Sequence, residues 1–244
     1  MNLEPRIDII ASALADTSRA RIVCVLMDGR AFTNKELACY AGITPQTASS
    51  HLKRLTACGV IAAIQSGRRK YYRIANSGIA GTIESLAVLA PADHLKRAAV
   101  NGTSPQMLTA RSCFDHVAGR LGVVLAEQFC RRGLLKQTNE TYEVLDVGDA
   151  VFTSLGIHME VLKRLSRPLT RCCLDWSERR FHLAGSLGSA LFDVFLENGW
   201  LSRQRDGRAL EITPVGFEAF AHHFSLSQGE INGLSEMEEN SLSA

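Results

Sequence analysis

The amino-acid sequence predicts a mainly α-helical fold with short β-hairpins, of the α+β class, in two parts. Three observations predict it: an amphipathic helix that begins at Thr44, a basic hairpin that ends at Ile74, and an internal repeat beyond Pro105. The helix and hairpin indicate an N-terminal domain, and the repeat indicates a C-terminal one. A chain of 244 residues, 46% hydrophobic and 21% charged, is long enough for both.

The helix that begins at Thr44 has one apolar face and one polar face. Ala48, Leu52 and Leu55 recur at helical spacing, and the opposite face has no carboxylate. Thr44 suits the N-cap and Pro45 suits the first helical position, so the helix starts cleanly. A polar leading end of this kind is typical of a helix that reads base edges in the major groove.

A hairpin follows this helix, with strands at residues 60–64 and 70–74 and a turn at Ser66-Gly67. Between Glu36 and Glu84 there are six Lys or Arg residues and no acidic residue. An ordinary solvated surface mixes both signs of charge, so this imbalance favours a polyanionic partner. Taken one at a time, these residues could equally be an ordinary wet helix face and a charged strand edge.

Further helices complete the first domain, which we place at residues 1–90. Patterns at residues 5–14, 17–28 and 78–89 are amphipathic or apolar, and Thr33 with Glu36 forms a capping box for a helix that stops at Gly42. Helix, turn, helix and hairpin together make a winged helix-turn-helix. Residues 1–90 carry eleven basic and six acidic residues, whereas residues 91–244 carry sixteen and nineteen. The DNA-facing charge is therefore expected in the first domain only.

Several spaced motifs between residues 7 and 89 resemble the DNA-binding domain of the ArsR/SmtB family of bacterial repressors. The matching segments are Leu14-Ala15-Asp16 with Arg19 and Ile22, Glu36-Leu37-Ala38, Ser50-His51-Leu52 with Leu55, Gly67-Arg68-Arg69, and Tyr71-Tyr72-Arg73. The resemblance implies a homodimer, paired through the first and last helices of the domain. Such a dimer binds a partly palindromic double-stranded DNA operator and releases it when a ligand binds.

The same resemblance implies which residues contact DNA. They are Gln46, Thr47, Ser49, Ser50, His51 and Arg54 on the helix, with Arg68, Arg69 and Lys70 on the phosphates. The metal sites usual in the family are absent, because the helix before the recognition helix has only Cys39 and the last helix offers only Glu84. Cys24, Cys39 and Cys58 are instead interpreted as small buried hydrophobic residues.

An internal repeat follows a connector at residues 91–104. Residues 111–115 match residues 171–175, and residues 116–122 match residues 182–188 after an insert of six residues, WSERRF. We place the C-terminal domain at residues 105–227, with repeats at about 108–167 and 168–227, and interpret each as a degenerate winged-helix unit of helix, glycine stop, hairpin and helix. Residues 228–244 are predicted to form a mobile acidic tail.

The repeated motif also contains side chains that can bind a ligand or react. If the two copies pack about a pseudo-twofold axis, thiols, carboxylates and imidazoles would meet at the seam, from Cys113, Asp115, His116, Cys173, Asp175 and His182. That set suits a transition metal, a reactive thiolate or a small organic effector. In the insert, Trp176, Arg179 and Arg180 could stack on an aromatic or anionic ligand. The alternative is purely structural, with small residues for close helix packing and His and Asp as caps.

Two other function classes stay open. The Cys, His and Asp residues of the repeat could form the nucleophilic site of an enzyme, although no oxyanion-hole or nucleotide-binding motif accompanies them. The repeats could also serve only dimerisation and DNA architecture. No apolar run approaches the roughly 20 residues that span a bilayer, and seven cysteines without disulfide spacing favour the cytoplasm.

Overall fold

A computed structural model describes residues 4–90, 105–204 and 207–233 of the chain. The chain divides into two compact units, Met1–Ile83 and Glu84–Ala244. The predicted domain boundary at residue 90 therefore lies seven residues after the observed division, which falls inside the last helix of the first domain. Within the described residues, no helix is long and apolar enough to cross a membrane.

The first unit is a winged helix-turn-helix, as the sequence predicts. Its elements in chain order are α1 (Ile7–Leu14), α2 (Thr17–Leu26), β1 (Phe32–Thr33), α3 (Asn34–Ala41), α4 (Pro45–Ala57), β2 (Ile61–Ser66) and β3 (Arg69–Ile74), and α5 (Ser77–Leu89) crosses into the second unit. The strands form an antiparallel sheet in the order β1-β3-β2. The sequence does not predict β1, because two residues are too short to show an alternating pattern.

Local capping fixes where the central helices begin. The Thr33 hydroxyl accepts a hydrogen bond from the backbone N–H of Glu36, whose carboxylate accepts one in return from the Thr33 N–H. The Thr44 hydroxyl accepts from the N–H of Thr47, and Pro45 occupies the first turn of α4. The apolar face of α4 is fully buried, as its spacing predicts, through Ala48, Leu52 and Leu55.

The second unit contains two copies of one sequence of elements. The first copy comprises β4 (Arg111–Cys113), β5 (His116–Ala118), α7 (Arg120–Arg131), β6 (Leu135–Gln137), β7 (Tyr142–Val144) and α8 (Asp146–Ser154), preceded by α6 (Pro105–Thr109) and followed by α9 (Met159–Lys163). The second comprises β8 (Arg171–Leu174), β9 (Phe181–Ala184), α10 (Gly185–Glu197), β10 (Leu201–Arg203), β11 (Leu210–Ile212) and α11 (Pro214–Phe224). Every one of these strand pairs is antiparallel.

Each copy begins with a hairpin that the sequence does not predict. The copies are hairpin, helix, hairpin and helix, whereas the expected order is helix, glycine stop, hairpin and helix. Strands of three or four residues are too short for a periodic signal. The predicted glycine stops are present at Gly133 and Gly199, both with a positive φ that glycine adopts without strain. The WSERRF insert enlarges the turn between β8 and β9.

The two copies exchange contacts across a pseudo-twofold axis. α7 packs on β9 of the other copy, and α10 packs on β5. Gly122 and Gly188 lie at this contact, where a Cβ on each would be in ordinary contact, at 3.5 Å and 3.4 Å, with the histidine Cβ of the other copy. What requires glycine is the hairpin of the same copy, because those Cβ atoms would lie 2.4 Å and 2.6 Å from a strand carbonyl oxygen. The equivalence predicted by the repeat therefore extends to its packing.

A single hydrophobic core joins both copies. Its centre is a cluster of buried aromatic rings, in which Phe195 meets Phe220 edge to face at 5.2 Å and Phe129 meets Phe224 at 5.1 Å. Such pairs contribute about 0.5–1.5 kcal/mol each beyond the area they bury. Because Phe129 belongs to the first copy and Phe224 to the second, this core joins the two copies.

The C-terminal end corrects one expectation. Residues predicted to begin a mobile acidic tail form α12 (Gln228–Asn232), which Ser227 and Glu230 cap reciprocally and whose Ile231 is buried. Glu230 is part of this cap and also pairs with Arg131 at 3.2 Å. The expectation of a tail rests on composition alone, which misses a capping box. The connector at 91–104 and residues 234–244 lie outside the described residues.

Candidate nucleic-acid interface and sensing site

The leading end of α4 presents the predicted polar side chains to solvent. Gln46, Thr47 and Ser50 are exposed. Ser49 is exposed as well, and its hydroxyl lies 2.8 Å from the side-chain amide of Asn34, which fixes the start of α4 against α3. This surface offers hydroxyl and amide groups, which donate and accept hydrogen bonds, and it carries no carboxylate that would repel a phosphate.

His51 lies apart from that exposed set. Its side chain is only 14% exposed, with Nδ1 3.3 Å from an Arg19 guanidinium nitrogen and Nε2 3.7 Å from a carboxylate oxygen of Asp16. Arg54 is exposed and donates to the Ser12 hydroxyl at 3.1 Å. His51 therefore ties α4 to the N-terminus of α2, and Arg54 remains on the polar face.

The tip of the β2–β3 hairpin carries the basic wing. Gly67 has φ 57°, a left-handed conformation that lets the two strands reverse tightly at Gly67 and Arg68. Arg68, Arg69 and Lys70 are all exposed there. The Lys70 ammonium lies 5.6 Å from the centre of the Tyr72 ring. The wing is thus a cluster of three cations that can approach phosphates.

The cysteines of the first unit contradict one expectation. Cys24 and Cys39 are exposed and Cys58 is half-buried, so none of the three is a buried hydrophobic residue. On α2 the buried residues are Ile22, Val23 and Leu26. Successive helical residues differ by about 100°, which turns Cys24 away from that face.

The repeat brings two cysteines and two histidines together in the second unit. Cys113 faces His116 across the β4–β5 hairpin, and Cys173 faces His182 across the β8–β9 hairpin. The Cys113 and Cys173 sulfurs are 4.0 Å apart, and the Nε2 atoms of His116 and His182 are 3.2 Å apart. The four donor atoms all lie within 4.8 Å of one another, and all four residues are buried. The predicted meeting of thiols and imidazoles at the seam is therefore present.

The two predicted aspartates stand behind the histidines. The Nδ1 atom of His116 lies 3.3 Å from Asp115, and that of His182 lies 3.8 Å from Asp175. Two arginines neutralise these carboxylates: Arg111 Nη2 lies 2.7 Å from both oxygens of Asp175, and Arg167 donates to Asp115. The sequence reasoning assigns no role to either arginine, although Arg111 belongs to the repeated motif.

The cluster shifts the ionisation of its own members. Hydrogen bonding from Cys113, set against burial, holds the pKa of the Cys173 thiol well below its usual range, and the two histidines contribute. Burial raises the pKa of the Cys113 thiol instead. Burial of His116 opposes its charged form, but Asp115 and Cys173 outweigh it and raise its pKa to about 9.

The insert is placed differently from the expectation of a stacking site. The Trp176 ring lies 4.1 Å from the guanidinium of Arg111, so one face is already occupied. Arg179 is exposed at φ 57°, and Arg180 pairs with Glu127 at 2.9 Å and with Glu178 at 3.2 Å. Arg180 also borders an open cleft of about 700 Å³ with a charged lining that includes Arg120, Glu127, Arg131, Glu178 and Glu230.

Comparisons with known proteins place the chain among DNA-binding regulators. Residues 16–63 match the family described as "Bacterial regulatory protein, arsR family". The chain is 41% identical over 224 residues to an uncharacterized HTH-type transcriptional regulator, YdfF, of Bacillus subtilis strain 168, covering 92% of this chain and 99% of that protein. It is 36% identical over 77 residues to the HTH-type transcriptional regulator CmtR of Mycobacterium tuberculosis strain H37Rv, covering 32% of this chain and 64% of that protein.

Solved structures match part of the chain. One is the NMR structure of the cadmium metal-sensor CMTR from Mycobacterium tuberculosis, 35% identical, covering 32% of this chain and 81% of that one with a TM-score of 0.29. Another is the solution NMR structure of the homodimeric winged helix-turn-helix DNA-binding domain of a possible ArsR-family regulator from Mycobacterium bovis. It is 25% identical and covers 42% of this chain and 93% of that one, with a TM-score of 0.29.

Proposed function

Because this chain belongs to the ArsR family of transcriptional regulators, we propose that it is a homodimeric repressor that binds a partly palindromic DNA operator. It releases the operator when an effector, a metal or a thiol-reactive stress acts on the C-terminal repeat domain. The observation that carries the proposal is the exposed surface of α4 and the β2–β3 wing, which combines neutral polar groups with cations and lacks carboxylates.

The two parts of this surface have different tasks. Gln46, Thr47 and Ser50 project from the leading end of α4, where a recognition helix meets base edges in the major groove. Arg68 and Arg69 at the wing tip supply charge to the phosphate backbone, which contributes affinity and register but little sequence information. His51 acts indirectly, by fixing α4 against Asp16 and Arg19.

Exposed apolar side chains support the dimer. Ile7 and Ile9 on α1 are 69% and 42% exposed, and Leu86 and Leu89 on α5 are 47% and 79% exposed. Burial of apolar surface stabilises an interface by about 25 cal/mol per Å², so these first and last helices of the DNA-binding domain favour pairing with a second copy. A symmetric dimer would present its two α4 helices to successive major grooves, about 34 Å apart.

The C-terminal domain supplies the place for the signal. This domain has its own aromatic core. Its repeat seam brings together thiols and imidazoles, with carboxylates behind them, and these groups are not needed to fold the DNA-binding unit. In the proposed switch, the ligand binds one of two dimer geometries more tightly than the other. Only the geometry that spaces the α4 helices correctly holds the operator.

Fluorescence anisotropy with DNA from the promoter of the protein's own gene tests the DNA interface. We expect specific binding, with an association constant whose logarithm falls linearly with the logarithm of the salt concentration. The double variant Arg68→Ala, Arg69→Ala should weaken binding and reduce that slope by about 3.6 in the homodimer, since it removes two phosphate contacts from each protomer and each contact contributes roughly 0.9. Lys136→Ala, which removes an exposed cation from the second unit, is the matched control and should leave the slope unchanged. An unchanged slope in the double variant would refute the interface.

A further inference from the structure

We propose that Cys113, His116, Cys173 and His182 bind one zinc-class divalent cation with tetrahedral geometry, at the seam between the two repeats. Each repeat supplies one thiolate and one imidazole, from the two strands of its first hairpin. The site is separate from the DNA interface, and the proposal needs nothing from operator binding.

The sulfur–sulfur and nitrogen–nitrogen distances fit a tetrahedral ion, and the other donor pairs lie within 4.8 Å of each other. With metal–sulfur bonds of about 2.3 Å and metal–nitrogen bonds of about 2.0 Å, a regular tetrahedron separates its sulfurs by about 3.8 Å and its nitrogens by about 3.3 Å. The observed separations are 4.0 Å for the two sulfurs and 3.2 Å for the two Nε2 atoms. Two sulfurs and two nitrogens in this arrangement are the donor set that zinc prefers.

The orientation of the histidines favours a cation between them. Both rings turn Nδ1 toward a carboxylate and Nε2 toward the centre; His116 Nδ1 lies 3.3 Å from Asp115, whereas His182 Nδ1 lies 3.8 Å from Asp175 without a hydrogen bond. A histidine whose Nδ1–H faces a carboxylate presents a lone pair on Nε2, as metal-ligating histidines do. At 3.2 Å the two Nε2 atoms are close enough to share one proton, and a metal ion bound between them would take the place of that proton.

The charges around the cluster fit a divalent ion. Two thiolates and a divalent cation sum to zero, so the complex can be buried without a net charge to desolvate. The carboxylates behind the histidines are neutralised separately, Asp175 by Arg111 and Asp115 by Arg167. All four ligand residues are buried, the most exposed being Cys173 at 6%. Four protein ligands without an open position make a closed site, which holds an ion for structure rather than for catalysis.

Metal analysis of the full-length protein tests the site directly. Protein purified from zinc-supplemented cells should contain about one equivalent of zinc per chain, and Cys113→Ser or Cys173→Ser should lose it. Cys172→Ser is the matched control: this neighbouring thiol belongs to the opposite face of β8 and contacts the Thr141 carbonyl at 3.4 Å. It should retain full zinc content.

Cobalt substitution reports the coordination geometry independently, in the protein without any mutation. Cobalt bound to the apoprotein should show the visible bands of tetrahedral coordination and a charge-transfer band from two thiolates, and zinc should displace it. Asp115→Asn, which acts through His116, should weaken metal affinity by about 10–100-fold without removing the thiolate band.

Any of these results would overturn the proposal: zinc-free protein from supplemented cells, cobalt spectra of octahedral type, or metal that persists in both Cys113→Ser and Cys173→Ser. A Cys113–Cys173 disulfide in protein purified under reducing conditions would also overturn it. Metal content and cobalt spectra are measured without DNA, so a failure here and a failure of operator binding are distinguishable.

Discussion

Replacing Asp175 with asparagine removes one charge from an ion pair at the centre of the second unit. Asp175 is fully buried and Arg111 is 1% exposed, with Arg111 Nη2 at 2.7 Å from both carboxylate oxygens. The same carboxylate accepts hydrogen bonds from the backbone N–H groups of Gly119 at 2.8 Å, Ser177 at 2.9 Å and Glu178 at 3.0 Å. The substitution therefore leaves the Arg111 guanidinium without a compensating charge. It also places the asparagine side-chain amide, which carries donor N–H groups, among backbone N–H groups that can only donate.

The expected cost is large relative to the stability of a domain. Removal of one partner from a buried ion pair destabilises a protein by about 3–5 kcal/mol. We expect the free energy of unfolding of the second unit to fall by that amount, out of a total of roughly 5–15 kcal/mol. An exposed pair behaves differently: Glu127→Gln, which disrupts the contact of Glu127 with Arg180, should cost no more than about 1 kcal/mol.

Urea unfolding followed by tryptophan fluorescence isolates this effect. The two tryptophans of the chain, Trp176 and Trp200, both belong to the second unit, so their emission reports that unit. The comparison is made in the presence of a chelator, so that metal affinity does not contribute. A loss of less than about 1 kcal/mol in Asp175→Asn would refute the reasoning, because it would mean that the pair is solvated.

Three further predictions address other parts of the molecule. Gly188→Ala should destabilise the second unit by about 1–3 kcal/mol in urea unfolding, because its Cβ would lie 2.6 Å from the Leu183 carbonyl oxygen; a neutral result would show that α10 and β9 can move apart. Zinc at 100 times its dissociation constant should raise the unfolding free energy of that unit by about 2.7 kcal/mol, and no rise would count against the metal site. Thr44→Ala should cost the first unit about 1 kcal/mol in thermal unfolding followed by circular dichroism, because Thr44 caps α4 through the Thr47 N–H; equal stability would mean that the cap is replaced by water.

The first unit is predictable from sequence because its signals are local. Thr44, Pro45 and the helical spacing specify α4 without reference to any other element, and Gly67 specifies the reversal of the wing. The features that the sequence does not reveal there depend on contacts from elsewhere. β1 exists through its pairing with β3, and the inward position of His51 depends on Asp16 and Arg19.

The second unit is predictable as a repeat but not as a set of elements. Self-similarity alone pairs Cys113 with Cys173 and His116 with His182, since equivalent residues of two packed copies meet at the axis between them. The hairpins that carry these residues escape prediction because strands of three or four residues show no periodicity. Arg167 escapes it too, because it lies outside the repeated motif and reaches Asp115 only through the fold.

Hydroxyl-radical footprinting of the full-length protein on the promoter of its own gene tests the central claim most directly. A homodimer that places one α4 helix in each of two successive major grooves should protect two backbone patches about 10–10.5 base pairs apart, related by a dyad in the sequence. The protection should disappear in the Arg68→Ala, Arg69→Ala variant at moderate salt. One unpaired patch, or uniform weak protection that does not depend on sequence, would contradict a dimeric operator-binding regulator.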